Sequence, residues 1–357
     1  MSRTFTHLIQ SSRRISRDEY ALNFGGIAED VAEMLESRRA QEVVRTARQA
    51  MEEAGRLEDG TPRLQSIEFG LFSTAPELEQ GRVAAVDGIA TLPLQLFSAG
   101  QALCVGVGSL SHRRPMRDSI HYWSSKAYLD QSRDPDDFLA REERGLFGIS
   151  QTAFLRYFEV RHGLEIDEPY VLFDGTLVYE WLTASREGVE LYERFFASGK
   201  KAIGVLRSVR SSPLFSKFAK ALRTGEVFVI ETLADHLEQG WAASGYPGEA
   251  GPYTLPAFVK GLAPKVLRGI FKPAKKAFGF EVHQDHLPDM LRILAADCQR
   301  NYVGREVPYL LNRVDEEVRY YLKPAILRDR IAAQLARQRE ELFLEEVEDR
   351  WSRSHLP

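Results

Sequence analysis

Apolar and polar positions along this chain fall into two rhythms. Short apolar runs bounded by Gly, Pro or Asp recur at 82–86, 93–97, 102–108, 170–174, 202–206, 227–231, 266–271 and 277–282. Their β-branched and aromatic content predicts strands. Longer stretches with apolar positions three and four apart predict helices near 150–162, 187–198, 213–223, 286–302 and 308–321. A charged helix is expected over 27–55, where Ile27, Val31, Met34 and Leu35 form a partial apolar stripe. Residues 111–150 are polar and arginine-rich, which suits a long connection with short helices around 134–143. The run at 176–182 follows the strand at 170–174 closely enough to be its hairpin partner. Gly240 to Pro256 is crowded with Gly and Pro, so a loop or lid is expected there. A last helix over 324–350 carries Arg328, Arg330, Arg337 and Arg339 first, then Glu340, Glu341, Glu345, Glu346, Glu348 and Asp349. That charge order opposes the helix macrodipole at both ends, so packing or a partner must hold it.

Strands and helices interleaved in this way predict an α/β fold, a mixed sheet flanked by helices. The division that follows is a helical N-terminal extension over 1–80, an α/β core over 81–322 and a C-terminal helix over 323–357. At 357 residues, with 44% hydrophobic and 27% charged, the chain has enough apolar material for a large core and the charge of a soluble protein. Cys104 and Cys298 lie in apolar surroundings without metal-ligand spacing and suit core thiols in a reducing compartment. The stretch Met1 to Arg17 lacks the apolar block of a signal peptide, and no stretch approaches a membrane span, so a cytoplasmic protein without membrane contact is expected.

Net charge is −4, which by itself argues against a polyanion partner, but the basic residues are segregated. Lys200, Lys201, Arg207, Arg210, Lys217, Lys220 and Arg223 follow one another without an acid until Glu226. Lys260, Lys265, Arg268, Lys272, Lys275 and Lys276 form a second acid-free run. Such segregation is the footprint of a nucleic-acid partner, or else two solvated faces that balance acidic helices. Arg207, at the end of a predicted strand, is placed to clamp a phosphate, with Lys200, Lys201 and Arg210 along the approach.

Two Asp-Gly pairs carry the candidate chemistry. Val83-Ala84-Ala85-Val86 ends in Asp87-Gly88, and Tyr170-Val171-Leu172-Phe173 ends in Asp174-Gly175. One such pair reads best as a turn. Two pairs after similar strands shift the balance toward carboxylates brought together at strand tips. Asp and Glu are the hard ligands that Mg²⁺ and Mn²⁺ prefer, and two such ions serve phosphodiester hydrolysis. Two unit charges 4 Å apart repel by roughly 4 kcal/mol at an effective dielectric of 20, so a carboxylate cluster needs a compensating cation. Glu159, on the helix before the second strand, is a third candidate, with a partly exposed helical glutamate as the plainer alternative. His283, Asp285 and His286 straddle a strand end and a helix start, where Asp285 suits an N-cap better than a metal ligand.

These residues resemble the NurA family of DNA-repair nucleases, which have an RNase H-like fold. Val86-Asp87-Gly88 matches that family's first metal-binding motif, with Ile89 in place of its usual small residue. Asp174-Gly175-Thr176-Leu177 matches its "DGSL", Arg156-Tyr157-Phe158-Glu159 its "R-x-x-E", and Gly204-Val205-Leu206-Arg207-Ser208 its later strand. The family's C-terminal signature is Tyr-Pro with a histidine eight residues after the tyrosine. Here Val307-Pro308 and Asp315 stand at that spacing, with Asp315 still able to ligate a hard cation. The resemblance implies an RNase H-like nuclease domain over 81–322 and a site of Asp87, Glu159, Asp174 and Asp315 holding two Mn²⁺ or Mg²⁺ ions. It also implies 5′-to-3′ exonuclease and single-strand endonuclease activity on DNA, a homodimer, and docking on a HerA-type hexameric ATPase in end resection or phage defence. Val307 and Asp315 leave room for the alternative of a non-catalytic DNA-clamping or scaffolding subunit.

Overall fold

The structure is a computed structural model that describes residues 38–69, 74–90, 94–96, 100–124, 146–180, 182–209, 213–244, 256–298 and 308–323, with single positions up to 333. It divides into two units, Met1–Ala54 and Gly55–Pro357. In the first, helix α1 spans Arg38–Glu53, inside the charged helix expected over 27–55. The expected short helices around 134–143, most of the 240–256 loop and almost all of the final helix over 324–350 lie outside the described residues.

The second unit is built on one ten-stranded sheet. In chain order it contains β1 (Leu64–Ser66), α2 (Pro76–Glu79), β2 (Val83–Ala90), β3 (Leu94–Leu96), β4 (Gly100–Ser111) and β5 (Arg117–Ser124). There follow α3 (Leu146–Glu165), β6 (Tyr170–Asp174), α4 (Arg186–Ala197), β7 (Lys201–Leu206), α5 (Pro213–Ala221), β8 (Glu226–Thr232), α6 (Leu233–Ser244) and α7 (Pro256–Gly261). The last elements are β9 (Val266–Lys272), β10 (Phe278–His283), α8 (Leu287–Cys298) and α9 (Tyr309–Leu322). The path through the sheet is β1-β8-β9-β10-β7-β6-β2-β4-β3, with β5 on the free edge of β4.

Its centre has a diagnostic order. Strands β2, β4 and β5 form an antiparallel meander, and after α3 the chain returns to place β6 parallel to β2 and then β7 parallel to β6. Numbered within this five-stranded centre, the order is 3-2-1-4-5, which is the RNase H-like arrangement. Beyond β7, antiparallel strands β10, β9, β8 and β1 extend the sheet.

The pleat sends alternate side chains to opposite faces. Val83, Ala85, Leu172 and Val205 pack on one face with Leu310, Leu311, Val314 and Val318 of α9. Ala84, Val86, Val171 and Phe173 pack on the other with Val160 of α3 and Tyr192 and Phe195 of α4. Asp87 is in phase with Ala85, and Asp174 with Leu172, so both carboxylates belong to the face that α9 covers.

Three sequence expectations are corrected. The connection over 111–150 contains strand β5, whose polar sequence suits the sheet edge it occupies. The helical extension expected over 1–80 also includes a strand, β1, which pairs with β8. Residues 176–182 do not form a hairpin with β6, because β6 is already flanked by parallel β2 and β7. Gly175, at φ +105°, turns the chain out of the sheet instead. The segment then crosses Gly204, where a Cβ would stand 2.2 Å from the Leu177 nitrogen.

Candidate metal centre

The parallel pairing of β2 with β6 runs from Val83 opposite Tyr170 to Val86 opposite Phe173 and then stops. Asp87 is the next residue on β2 and Asp174 the last on β6, so both occupy the sheet end where the two strands part. Helix α9 crosses the same face, and Val314 and Val318 in the core bring Asp315 over the gap between them. Carboxylate oxygens of Asp87, Asp174 and Asp315 all lie within 4.8 Å of one another.

Glu159 arrives from the opposite face. It is fully buried on α3, with 2% of its surface exposed, and not the partly exposed glutamate that its helical position would suggest. Arg156 Nη1 donates to Glu159 Oε2 at 2.6 Å and also to the backbone carbonyl of Asp174. The glycines after the two aspartates admit these side chains. A Cβ on Gly88 would stand 2.9 Å from Glu159 Oε1, and one on Gly175 would stand 2.2 Å from Arg156 Nη2. Gly88 therefore marks no turn; it lies inside β2 and makes room for a carboxylate.

The electrostatics are those of crowded acids. Burial, then the charges of Asp174, Glu159 and Asp315, push the Asp87 carboxyl well above its usual range, against one hydrogen bond at 2.8 Å from the Gly88 N–H. Burial pushes Glu159 up to about 7 even though Arg156 opposes it. Burial also raises Asp174, while Arg207 and Arg156 pull it down. At Asp315 burial works toward a higher value, but Arg319 and Arg207 outweigh it and leave the carboxyl below the ordinary one.

Arg207 is the local counter-charge. Its Nη2 lies 2.5 Å from Asp174 Oδ2 and its Nη1 3.2 Å from Asp315 Oδ2. Arg207 thus lies beside the acids, with its guanidinium seated on two of them. Lys200 and Lys201 are elsewhere. They sit at the start of β7, and its other end carries Val205, opposite Asp174. Lys200 Nζ donates to the carbonyls of Ile166 and Glu168, and Lys201 pairs with Asp289. Their expected place on the approach to the carboxylates is corrected by strand direction: consecutive basic residues in sequence lie at opposite ends of one strand. Arg210 lies outside the described residues.

Arg156 is the site residue that motif matching leaves without a role; its spacing of three from Glu159 on a helix was the available signal. A second buried network holds the segment after Asp174. Val178 N–H donates to Glu281 Oε2 at 3.2 Å, Arg268 Nε donates to Glu281 Oε1 at 3.0 Å, and Arg268 also pairs with Glu231. At His283 the cap assignment shifts: His283 Nδ1, and not Asp285, accepts the helix-start hydrogen bond, from Asp285 N–H at 3.3 Å.

Three hard oxygen donors within reach of one another, a fourth carboxylate behind them and raised carboxyl groups fit a divalent cation. An RNase H-like α/β chain with an acidic cluster where its central parallel strands part is the class that fold and site define. The chain is similar to solved NurA structures. With the NurA nuclease from Sulfolobus solfataricus it shares 10% identity at a TM-score of 0.47, covering 91% of this chain and 98% of that one. With a NurA bound to dAMP and manganese it shares 9% identity at a TM-score of 0.42, covering 84% and 93%. The catalytic domain of human endonuclease V aligns at 13% identity and a TM-score of 0.34, covering 81% and 98%. No family model and no curated protein matches the chain. No helix among the described residues is long and apolar enough to cross a membrane.

Proposed function

We propose that this protein is a divalent-metal-dependent nuclease. The observation that carries the proposal is the meeting of Asp87, Asp174 and Asp315 within 4.8 Å, from two strands and a helix distant in sequence. Asp87, Asp174 and Asp315, with Glu159 beside them, would hold Mn²⁺ or Mg²⁺. When bound, such ions neutralise charge on a phosphodiester and lower the pKa of coordinated water. The chain's own residues do the rest. Arg156 fixes Glu159 and the Asp174 backbone in one hydrogen-bonded unit. Without metal, burial raises the Glu159 carboxyl to about 7, so it would give up its proton as a cation binds. Arg207 seats its guanidinium on Asp174 and Asp315 and fixes the two carboxylates relative to each other.

The test is degradation of end-labelled single-stranded DNA by the purified chain with Mn²⁺, with Mg²⁺ and with EDTA. Metal-dependent cleavage that is lost in Asp87→Asn supports the proposal; no cleavage under any of these conditions refutes it. One observation favours the non-catalytic reading: Arg207 already occupies two of the three clustered carboxylates. In that case oligonucleotide binding persists without cleavage.

From the sequence resemblance we further propose two bound ions, DNA as substrate, 5′-to-3′ exonuclease and single-strand endonuclease activity, a homodimer, and docking on a HerA-type hexameric ATPase in end resection. Light scattering of the chain alone and mixed with that ATPase tests the assembly. A monomer that never associates with it overturns that part.

A further inference from the structure

The two acid-free basic runs are distributed in space quite differently from their order in sequence. Lys200 and Lys201 leave at the start of β7, and Lys265 at the start of β9. Arg207 is seated on the acids, Arg268 is buried against Glu231 and Glu281, and Lys260 lies on α7, but six others converge. Helix α5 buries Phe215, Phe218 and Ala221 and leaves Lys217 and Lys220, three apart, exposed on one side. Its C-terminal turn, with exposed Arg223, is stitched to the β9–β10 turn that carries Lys272, Lys275 and Lys276. Gly225 N–H donates to the Lys272 carbonyl at 2.8 Å, Thr224 Oγ1 to the Ala274 carbonyl at 3.0 Å, and Lys272 Nζ to the Leu222 carbonyl at 3.0 Å. Nearby acid is scarce. Glu226 is buried and accepts the Arg223 N–H, while Glu68 is exposed at the margin, next to Ile67, which donates to the Gly225 carbonyl.

Sheet topology fixes where this surface lies. Strand β10 runs antiparallel to β7 with Gly279 opposite Leu206, so the β9–β10 turn projects from the sheet end that carries Arg207 and Asp174. From β6 to β9 is three strand steps through β7 and β10, or about 14 Å at roughly 4.8 Å per step.

We propose that the surface formed by Lys217, Lys220, Arg223, Lys272, Lys275 and Lys276 is a binding track for the phosphodiester backbone of a single polynucleotide strand, leading toward the carboxylate cluster. The reading of that cluster as a nuclease centre supplies the strand's destination, but binding to the track stands without it. Charge complementarity selects the occupant. A membrane surface would call for large apolar side chains among the cations. The exposed large apolar residues among those described are Val43, Ile120, Tyr320, Tyr321 and Ile326, none of them in this surface.

The experiment measures anisotropy of fluorescein-labelled oligo(dT) with the full chain, across a salt series in EDTA, so that cleavage plays no part. The variant carries Lys217→Gln, Lys220→Gln, Arg223→Gln and Lys275→Gln. A control variant carries Arg161→Gln, Arg186→Gln, Arg194→Gln and Lys260→Gln, all exposed on other elements. Each lost phosphate contact flattens the log–log salt slope by about 0.7, so the track variant should lose roughly 2–3 in slope and at least about tenfold in low-salt affinity. The control variant should lose much less. If the fourfold variant does not fold, Lys275→Glu alone should still reduce slope and affinity. Equal losses in both variants, an unchanged slope, or no oligonucleotide binding by the wild type would overturn the proposal. So would binding to vesicles of phosphatidylcholine and phosphatidylserine in equal parts that falls in the track variant while oligonucleotide binding does not. Absence of cleavage by the wild type with Mn²⁺ or Mg²⁺, together with intact oligonucleotide binding in EDTA, would count against the nuclease reading alone.

Discussion

Glu159 Oε1 occupies space that any side chain on Gly88 would need: a Cβ there would stand 2.9 Å from that oxygen and 2.7 Å from the Leu155 Cδ1 methyl. The relationship couples a glycine on β2 to a buried carboxylate on α3. Gly88→Ala should therefore displace Glu159 or the α3 backbone, with an overpacking cost of about 1–3 kcal/mol. Thermal denaturation reads that cost, and cleavage should fall at least tenfold if Glu159 belongs to the site. An alanine variant with wild-type stability and activity would show that Glu159 can move freely, contrary to its packing.

Asp87→Asn and Asp174→Asn should separate. Asp87 has the other carboxylates as its main charged neighbours and one short bond from the Gly88 N–H, so neutralising it relieves repulsion. In EDTA, Asp87→Asn should be as stable as the wild type or more so. At Asp174, Arg207 and Arg156 offset part of the effect of burial, so Asp174→Asn, which also gives up the contact with Arg207, should be the less stable of the two variants in EDTA. Both should lose cleavage by two orders of magnitude or more. Matched urea melts in EDTA check the contrast, and equal destabilisation of the two variants would contradict it.

The pH dependence has a definite sign. Burial raises Glu159 from 4.5 to about 7, so the folded state binds more protons than the unfolded state between those values. Glu159's contribution to the stability of the metal-free protein should then fall as pH rises through that window, by on the order of 3 kcal/mol at about 1.4 kcal/mol per unit, while histidines such as His236, lowered by burial to about 4, act in the opposite sense. Asp87, also raised, adds to the same trend. Added Mn²⁺ should stabilise far more at about pH 8 than at about pH 5, where protons compete for the same oxygens. Urea melts with and without metal test this, and the difference between wild type and Glu159→Gln isolates the Glu159 part of the slope. A stability difference between wild type and Glu159→Gln that does not fall with rising pH in EDTA would refute it.

Much of this site is legible in the chain because its two strands announce themselves. Val83–Val86 and Tyr170–Phe173 are apolar runs that end in an acid, and a parallel sheet gathers such ends at one side. Asp315 is legible only through resemblance, since periodicity alone gives α9 no reason to cross β2. Burial of Glu159 was hidden as well, because it depends on the absent side chain at Gly88, which is far from it in sequence. The misplacement of Lys200 and Lys201 has a simple origin: a sequence run records proximity along the strand and not which end of the strand faces the site. The missed strand β5 is polar because it is an edge, where the alternation that betrays a buried strand is weakest.

Arg207 gives the last prediction. It holds Asp174 at 2.5 Å and Asp315 at 3.2 Å, and its own charge is favoured by both, although burial works the other way. Removing it leaves Asp174 and Asp315 without the counter-charge they share, although Arg319 still pairs with Asp315 at 2.7 Å. Arg207→Ala should therefore destabilise the protein in EDTA by roughly 1.5–3 kcal/mol. A divalent cation can replace the missing charge, so Mn²⁺ should restore most of that loss and should bind more tightly to the variant than to the wild type. Paired calorimetric titrations and melts report both quantities. If Mn²⁺ binds Arg207→Ala more weakly, or restores none of its stability, the guanidinium and the cation do not share the carboxylates, and the assignment of Asp174 and Asp315 as ligands fails with that result.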